Sequence, residues 1–237
     1  LLVGGDALQP AIIREVLATN APMKLLNGYG PTETTTFALT HEIQAVADGA
    51  LSIPLGRPIA NTQVYILNDQ QQPVPQGVVG ELYIGGDGVA LEYLNRPDLM
   101  QQHFLTNPFS SQPNARMYRT GDLVYWRTDG TVEFVGRNDF QVKIRGYRIE
   151  LGEIDVSLQA CDGVQDAVVV ALGDKEKRLV AYYTTGHEPV DLATLKSELS
   201  ARLPAYMVPS AYVHLAVLPL SANGKVDRKA LPEPDAS

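Results

Sequence analysis

Apolar and polar positions alternate through Gly136–Glu153, with Phe140, Val142, Ile144 and Gly146 on one parity and Gln141, Lys143 and Arg145 on the other. A period of two predicts a strand with one covered and one wet face. The stretch is also crowded with charge, from Arg137 and Asp139 through Arg148, Glu150 and Glu153. It reads either as a solvated hairpin arm or as a junction between two structural regimes. Upstream, Leu1–Val3 predicts the end of a buried strand, and Gly4-Gly5-Asp6 a turn into a helix near Pro10–Thr19. Pro10 suits the first helical turn, and Ile12, Ile13, Val16 and Leu17 form the apolar face. Lys24–Leu26 predicts a second short strand running into Asn27–Thr36, a loop rich in Gly, Pro and hydroxyls. From about Ile53 to Phe134 the pattern is all β. Gln63–Leu67, Gly80–Ile84, Leu123–Trp126 and Thr131–Val135 are short strands separated by turn clusters, which predicts a small barrel or sandwich. Downstream the period lengthens. Leu151, Ile154 and Leu158 mark a helix with Glu150 and Glu153 near its positive end, and Val164–Leu172 and Leu179–Thr185 are strands. Leu192, Leu195, Leu199 and Leu203 form a second stripe behind the N-cap candidate Asp191, and Ala211–Leu215 is a last strand. The fold class is therefore α+β. A piece of α/β core (1–50) leads into a small β-barrel (51–138), followed by a small unit with helices on one sheet face.

Composition narrows the function. The 237 residues are 45% hydrophobic and 19% charged, enough for a buried core, and no apolar run approaches a membrane span. The net charge of −8, without a Lys/Arg block, argues against nucleic acid and anionic membranes as partners. The lone Cys161 excludes an internal disulfide framework and fits a reducing, cytoplasmic compartment, where it reads as a structural thiol. Leu1–Asp6 has no basic segment before its apolar run and reads as a strand and turn from within something larger, not a signal peptide. The four histidines show no metal-ligand spacing.

Three short motifs carry candidate chemistry. In Gly28-Tyr-Gly-Pro-Thr-Glu33 the glycines and hydroxyls let the main chain approach phosphate oxygens, and the adjacent carboxylate suits Mg²⁺. In Tyr118-Arg-Thr-Gly-Asp-Leu123 a carboxylate follows a tight glycine turn, placed to accept a pair of ribose hydroxyls; taken alone, the motif reads first as a hairpin turn. Asn223-Gly-Lys-Val-Asp-Arg228 presents Lys225 at a turn tip, which by itself is an ordinary surface charge. Gly85-Gly-Asp-Gly88 lacks the third glycine and following helix of a dinucleotide site and reads as a turn.

Taken in order, Asn27–Glu33, Gly80–Gly88, Tyr118–Leu123, Gly136–Glu153, Leu203–Pro209 and Asn223–Arg228 resemble the later core motifs of nonribosomal peptide synthetase adenylation domains. The resemblance covers essentially the whole chain, and Gln141–Gly146 with Leu151-Gly-Glu153 is closer to that branch than to acyl-CoA ligases. It implies that Asn27 and Tyr29 hold adenine, with Gly30 and Phe134 beside the nucleotide, that Thr32 contacts the α-phosphate and that Glu33 binds Mg²⁺. It implies that Asp122, helped by Arg137, binds the ribose of ATP, and that Lys225 bridges substrate carboxylate and α-phosphate. Lys143 and Gly146 would serve the second half-reaction, Gly146 by leaving room for the phosphopantetheine arm of a peptidyl carrier protein. Asp139 would be the hinge of a mobile lid over 139–230, and 231–237 a linker toward the carrier. An MbtH-like helper is a further implied partner. Leu2, Gly4, Gly28, Thr36 and Phe37 match the side-chain pocket. Two glycines leave volume and Leu2 and Phe37 form an apolar wall, which implies a small branched aliphatic amino acid, valine above isoleucine or leucine.

Such domains have a large N-terminal half, with a phosphate loop and the aspartate that grips the α-amino group, and nothing here matches it. The expectation is half an active site, inactive alone, as a fragment or as one of two chains. Val89-Ala-Leu-Glu-Tyr93 departs from the family at Leu91-Glu92, which reads as surface drift outside the site. Two other classes stay open, an acyl-CoA or aryl-acid ligase and a non-catalytic docking remnant.

Overall fold

The computed structural model describes all residues except 139, 140, 145, 174–176, 187–189, 222–225 and 235–237. The chain divides into two compact units, Leu1–Asp139 and Phe140–Ser237.

In the first unit, β1 (Leu2–Gly4), α1 (Pro10–Asn20) and β2 (Leu26–Tyr29) form a parallel crossover. Ile13, Val16 and Leu17 bury the helix against Leu25, Ile43 and Ile53, while Ile12, expected on that face, is exposed. β3 (Leu39–Glu42) and β4 (Arg57–Pro58) extend this sheet in the order β1-β2-β3-β4. The sequence pattern ends the strand at Leu26 and makes Asn27–Thr36 a loop. Asn27, Gly28 and Tyr29 are instead central strand, because pairing on both sides satisfies their backbone groups whatever their propensity.

The second sheet contains β5 (Thr62–Leu67), β6 (Gly80–Gly86), β7 (Phe104–Thr106), β8 (Arg116–Trp126) and β9 (Val132–Arg137), with α2 (Pro97–His103) leading into β7. Its order is β5-β6-β8-β7, with β9 sharing the second edge of β8. Contrary to the expected barrel, this sheet is not closed. The outer edge of β5 is met by its own returning turn (Leu67 with Pro73), and that of β9 by Gly56 opposite Val132. Neither edge is left for the other. The two sheets pack face to face through Tyr29, Leu39, Ile66, Leu82, Ile84, Val124 and Val132.

The second unit starts with the hairpin β10 (Gln141–Ile144) and β11 (Tyr147–Glu150), turned at Gly146 with φ +81°. The expected alternation is only partly seen: Val142 and Ile144 pack on the core, but Gln141 is also buried. Then come α3 (Leu151–Gln159), β12 (Val164–Leu172), β13 (Arg178–Thr185), α4 (Leu192–Arg202) and β14 (Ala211–His214), with sheet order β12-β13-β14. One strand face, through Ala167, Val169, Leu179, Ala181 and Tyr183, packs on Ile154, Leu158, Leu195 and Leu199 of the helices. The opposite face, through Val168, Val170, Val180 and Tyr182, is covered by Leu218, Val226 and Leu231. Asp191 caps α4 by accepting the Thr194 N–H at 2.9 Å. Cys161 is buried and burial pushes its thiol up, consistent with a structural role.

Candidate functional site

The first unit brings the Asn27–Phe37 segment against Tyr118–Asp122. In β2, Gly28 pairs with Gly4 so closely that a Cβ on Gly4 would lie 2.1 Å from the Gly28 carbonyl oxygen. Asn27, buried, donates its side-chain amide to the Pro54 carbonyl at 2.8 Å. The chain then turns through Gly30 and a single 3-10 turn, Thr32–Thr34, and closes with the Ala38 N–H on the Tyr29 carbonyl at 2.8 Å. Thr35 and Thr36 take left-handed φ values of 61° and 72°. A Cβ on Gly30 would come within 2.7 Å of Thr36 O and Ala38 N, so glycine is required for the closure. Thr32 and Thr36 are exposed at the surface of this loop.

Tyr118–Leu123 is not a hairpin turn. It lies inside the eleven residues of β8, where the register slips against β6 between Glu81–Leu123 and Tyr83–Arg119. Gly121 absorbs that bulge at φ +75°. The bulge turns Asp122 so that its carboxylate meets two donors. The buried Tyr29 hydroxyl donates to Oδ2, and Arg137 Nη1 donates to Oδ1 at 2.5 Å. Arg137 is the register partner of Asp122 on β9, and its Nη2 also reaches Thr120 O at 3.0 Å. Thr120 Oγ1 accepts the Asp122 N–H at 3.0 Å and donates to Leu82 O at 2.8 Å. Burial first, and the neighbouring Asp122 charge second, hold the Tyr29 phenol well above its ordinary pKa, so it remains a donor. A buried carboxylate held by a cation on one oxygen and a neutral donor on the other is fixed in orientation, as an acceptor for a vicinal diol must be. Phe134 sits on β9 opposite Val124, packed on the inter-sheet core.

Glu33 lies on the 3-10 turn, its carboxylate accepting the Tyr93 hydroxyl at 2.5 Å. Tyr93 is a contact that the sequence pattern does not reveal; it directly follows Leu91-Glu92, which reads there as surface drift. Leu91 is indeed exposed, but Ala90 donates its N–H to Glu33 O at 2.8 Å. Burial, and then the hydrogen bond to Glu33, push the Tyr93 phenol up. Among the described residues no group of three or more His, Cys, Asp or Glu could enclose a metal ion. A single carboxylate beside hydroxyls is still a fitting donor set for Mg²⁺, which uses one or two carboxylates together with substrate phosphates.

Leu2, Gly28 and Phe37 come together, but not as open volume. A Cβ on Gly28 would be 2.7 Å from the Phe37 ring and 3.0 Å from Leu2 Cδ1. The space of Gly28 is filled by Phe37 and Leu2, and that of Gly4 by strand backbone, so neither glycine enlarges a pocket as expected. In the second unit, Lys143 lies on β10 opposite Arg148, and a Cβ on Gly146 would meet nothing within 4 Å. Asp139 and Lys225 lie outside the described residues.

A family model described as AMP-binding enzyme matches residues 1–94, and one described as AMP-binding enzyme C-terminal domain matches residues 153–225. The chain belongs to the AMP-binding enzymes, the adenylate-forming ligase family. Nonribosomal peptide synthetases are among the chain's relatives. It is 50% identical over 236 residues to tyrocidine synthase 3 of Brevibacillus parabrevis, covering 99% of this chain and 4% of that protein. It is 53% identical over 239 residues to malpibaldin synthetase of Mortierella alpina, covering 100% of this chain and 4% of that protein. The chain thus spans only a small part of the length of these relatives. The solved structure of holo-PA1221, a nonribosomal peptide synthetase protein with adenylation and PCP domains bound to a vinylsulfonamide inhibitor, matches with a TM-score of 0.81. Identity there is 33%, over 97% of this chain and 39% of that one. No helix among the described residues is long and apolar enough to cross a membrane.

Proposed function

We propose that this chain is part of an amino acid adenylation domain, which makes aminoacyl-AMP from ATP and passes the aminoacyl group to a carrier-protein thiol. The observation that most supports this reading is the meeting of Tyr29, Asp122 and Arg137, a buried carboxylate set for a ribose diol beside a glycine-rich turn. Asp122 accepts the ribose hydroxyls and Arg137 fixes its orientation. Asn27, Tyr29, Gly30 and Phe134 border the adenine, and Thr32 donates to the α-phosphate. Glu33 is the residue to hold Mg²⁺, which when bound offsets phosphate charge. Lys225 is the residue assigned to offset the negative charge that gathers on the α-phosphate as the substrate carboxylate attacks and pyrophosphate leaves. In the second step a thiol sulfur attacks the mixed anhydride and AMP leaves. Lys143 and Gly146 are assigned there, Gly146 because nothing crowds its Cα. Asp139 is the pivot between the two steps.

For the substrate we propose a small branched aliphatic amino acid, valine first. Leu2 and Phe37 supply an apolar wall without charge, and their closure over Gly28 narrows the site. The carrier arrives with phosphopantetheine, and the likeness to an adenylation–PCP protein supports that partner. An MbtH-like helper is a further proposed partner.

The test is amino-acid-dependent ATP–pyrophosphate exchange, with the chain joined to an N-terminal adenylation half. Exchange is expected to be highest with valine; preference for an aryl or fatty acid overturns the substrate reading. Lys225→Ala should lose exchange yet transfer from supplied aminoacyl-AMP, and Gly146→Trp should do the reverse. Failure of both at the same step refutes the division of labour.

A further inference from the structure

We propose that Tyr93 is a positioning residue for Glu33: its hydroxyl, with the backbone clasp formed by residues 88–91, sets the direction of the Glu33 carboxylate toward a bound cation. This inference rests on the assignment of Glu33 to Mg²⁺.

Glu33 cannot orient itself. It stands on a 3-10 turn of only three residues, followed by two threonines in left-handed conformation, and a glutamate loses roughly 1–2 kcal/mol of rotamer freedom when fixed. The support comes from the chain after β6. The Ala90 N–H donates to Glu33 O at 2.8 Å, and Thr35 Oγ1 donates to Gly88 O at 2.7 Å. The approach is so close that a Cβ on Gly88 would lie 2.9 Å from Thr34 O. Just beyond this clasp, the Tyr93 hydroxyl reaches Glu33 Oε1 at 2.5 Å.

Tyr93 is itself fixed. Its N–H meets Met100 Sδ at 3.1 Å, its ring packs edge-on against Phe104 at 5.2 Å, and its hydroxyl lies 3.4 Å from that of Tyr118. Arg116 pins the intervening backbone, donating to Leu91 O at 2.6 Å and Ala90 O at 3.1 Å. Arg116 and Tyr118 are on β8, the strand that carries Asp122. One strand therefore braces both the Glu33 and the Asp122 carboxylates. A phenol fixes one carboxylate oxygen without bringing a positive charge of its own, so this contact does not compete with a cation as a Lys or Arg contact would. A purely structural Tyr–Glu hydrogen bond would affect stability but leave metal affinity alone.

The experiment titrates Mn²⁺–ATP into the chain joined to an N-terminal half, without amino acid, and follows bound Mn²⁺ by electron paramagnetic resonance. Tyr93→Phe keeps the ring packing and should raise the half-saturating concentration roughly tenfold, the worth of one hydrogen bond to a charged group. Arg116→Met, which frees the 90–91 carbonyls, should move it in the same direction by less. Glu33→Gln must itself weaken Mn²⁺ binding, and adding Tyr93→Phe to it should cost nothing further. If Glu33→Gln has no effect, the functional reading of Glu33 fails. If Glu33→Gln weakens binding while folded Tyr93→Phe and Arg116→Met proteins bind as wild type does, the positioning role is overturned and the metal assignment survives.

Discussion

Removing Arg228 should expose how the second unit protects the open side of its sheet. β12 is an edge strand, and an edge residue turns backbone groups away from its neighbour. At Val169 those groups are capped by two side chains. The N–H donates to Asp155 Oδ1 at 2.6 Å, and the carbonyl accepts from Arg228 Nη1 at 2.7 Å. Arg228 Nη2 and Asp155 Oδ2, 3.3 Å apart, close the ring. The side chains are 23% and 19% exposed, so the pair is mostly desolvated. Breaking a buried pair by deleting one partner costs about 3–5 kcal/mol, and the residual exposure places Arg228→Ala near the low end. The pH dependence is a second signature. Burial raises the Asp155 pKa, opposed by the Val169 N–H and by Arg228. Without Arg228 the carboxyl rises further. A carboxyl with a raised folded pKa takes up a proton on folding, so its contribution is complete below the unfolded pKa and is lost as pH rises through the folded one. The variant gains more than wild type on acidification, and the stability gap should be widest near neutral pH and shrink toward the carboxylate range. Urea unfolding of the whole chain, followed by far-ultraviolet circular dichroism across that range, measures both. The double variant Asp155→Asn/Arg228→Met should recover much of the loss. A neutral-pH gap under about 0.5 kcal/mol, the scatter of ordinary surface substitutions, or a gap that widens on acidification, would refute this account.

Other substitutions test other contacts. Leu158→Ala empties a fully buried position between α3, α4 and the sheet and should cost about 2–5 kcal/mol in the same unfolding assay. Gly28→Ala forces Phe37 aside and should cost about 1–3 kcal/mol, and Phe37→Leu in the same chain should relieve part of it. Asp191→Ala removes the α4 cap and should cost about 1 kcal/mol.

What is legible in the sequence is what local pattern controls. The leucine stripe of α4 and its Asp191 cap, the spacing of Leu151, Ile154 and Leu158, and the strand runs of β5, β6, β12 and β13 are written in short windows and reappear in the structure. The misses depend on distant partners. Asn27–Tyr29 carries turn-forming residues, and only β1 and β3 on either side make it strand. Gly121 reads as a turn because a glycine that absorbs a bulge and one that reverses the chain look alike in sequence. Tyr93 and Arg228 act across 60 and 59 residues on Glu33 and Val169, separations that no periodicity reports. An aromatic closing a glycine-rich stretch is the only signal for Tyr93. The barrel fails as an expectation because alternation predicts strands without saying which edges their turns will cover.

β8 bears on time as well as geometry. It has β6 along one edge and β7 and β9 sharing the other, and its bulge presents Asp122 from the middle of that arrangement. A segment tied on both sides opens only when much of the sheet opens, so its amides should be among the slowest in the first unit to exchange with solvent. Asp122 should therefore hold its place while looser parts of the first unit fluctuate. The Asp122 carboxylate is thus a fixed point of the first unit, and the Thr32–Thr34 turn, tied to residues 88–90 through Glu33 and Thr35, is held against the same sheet.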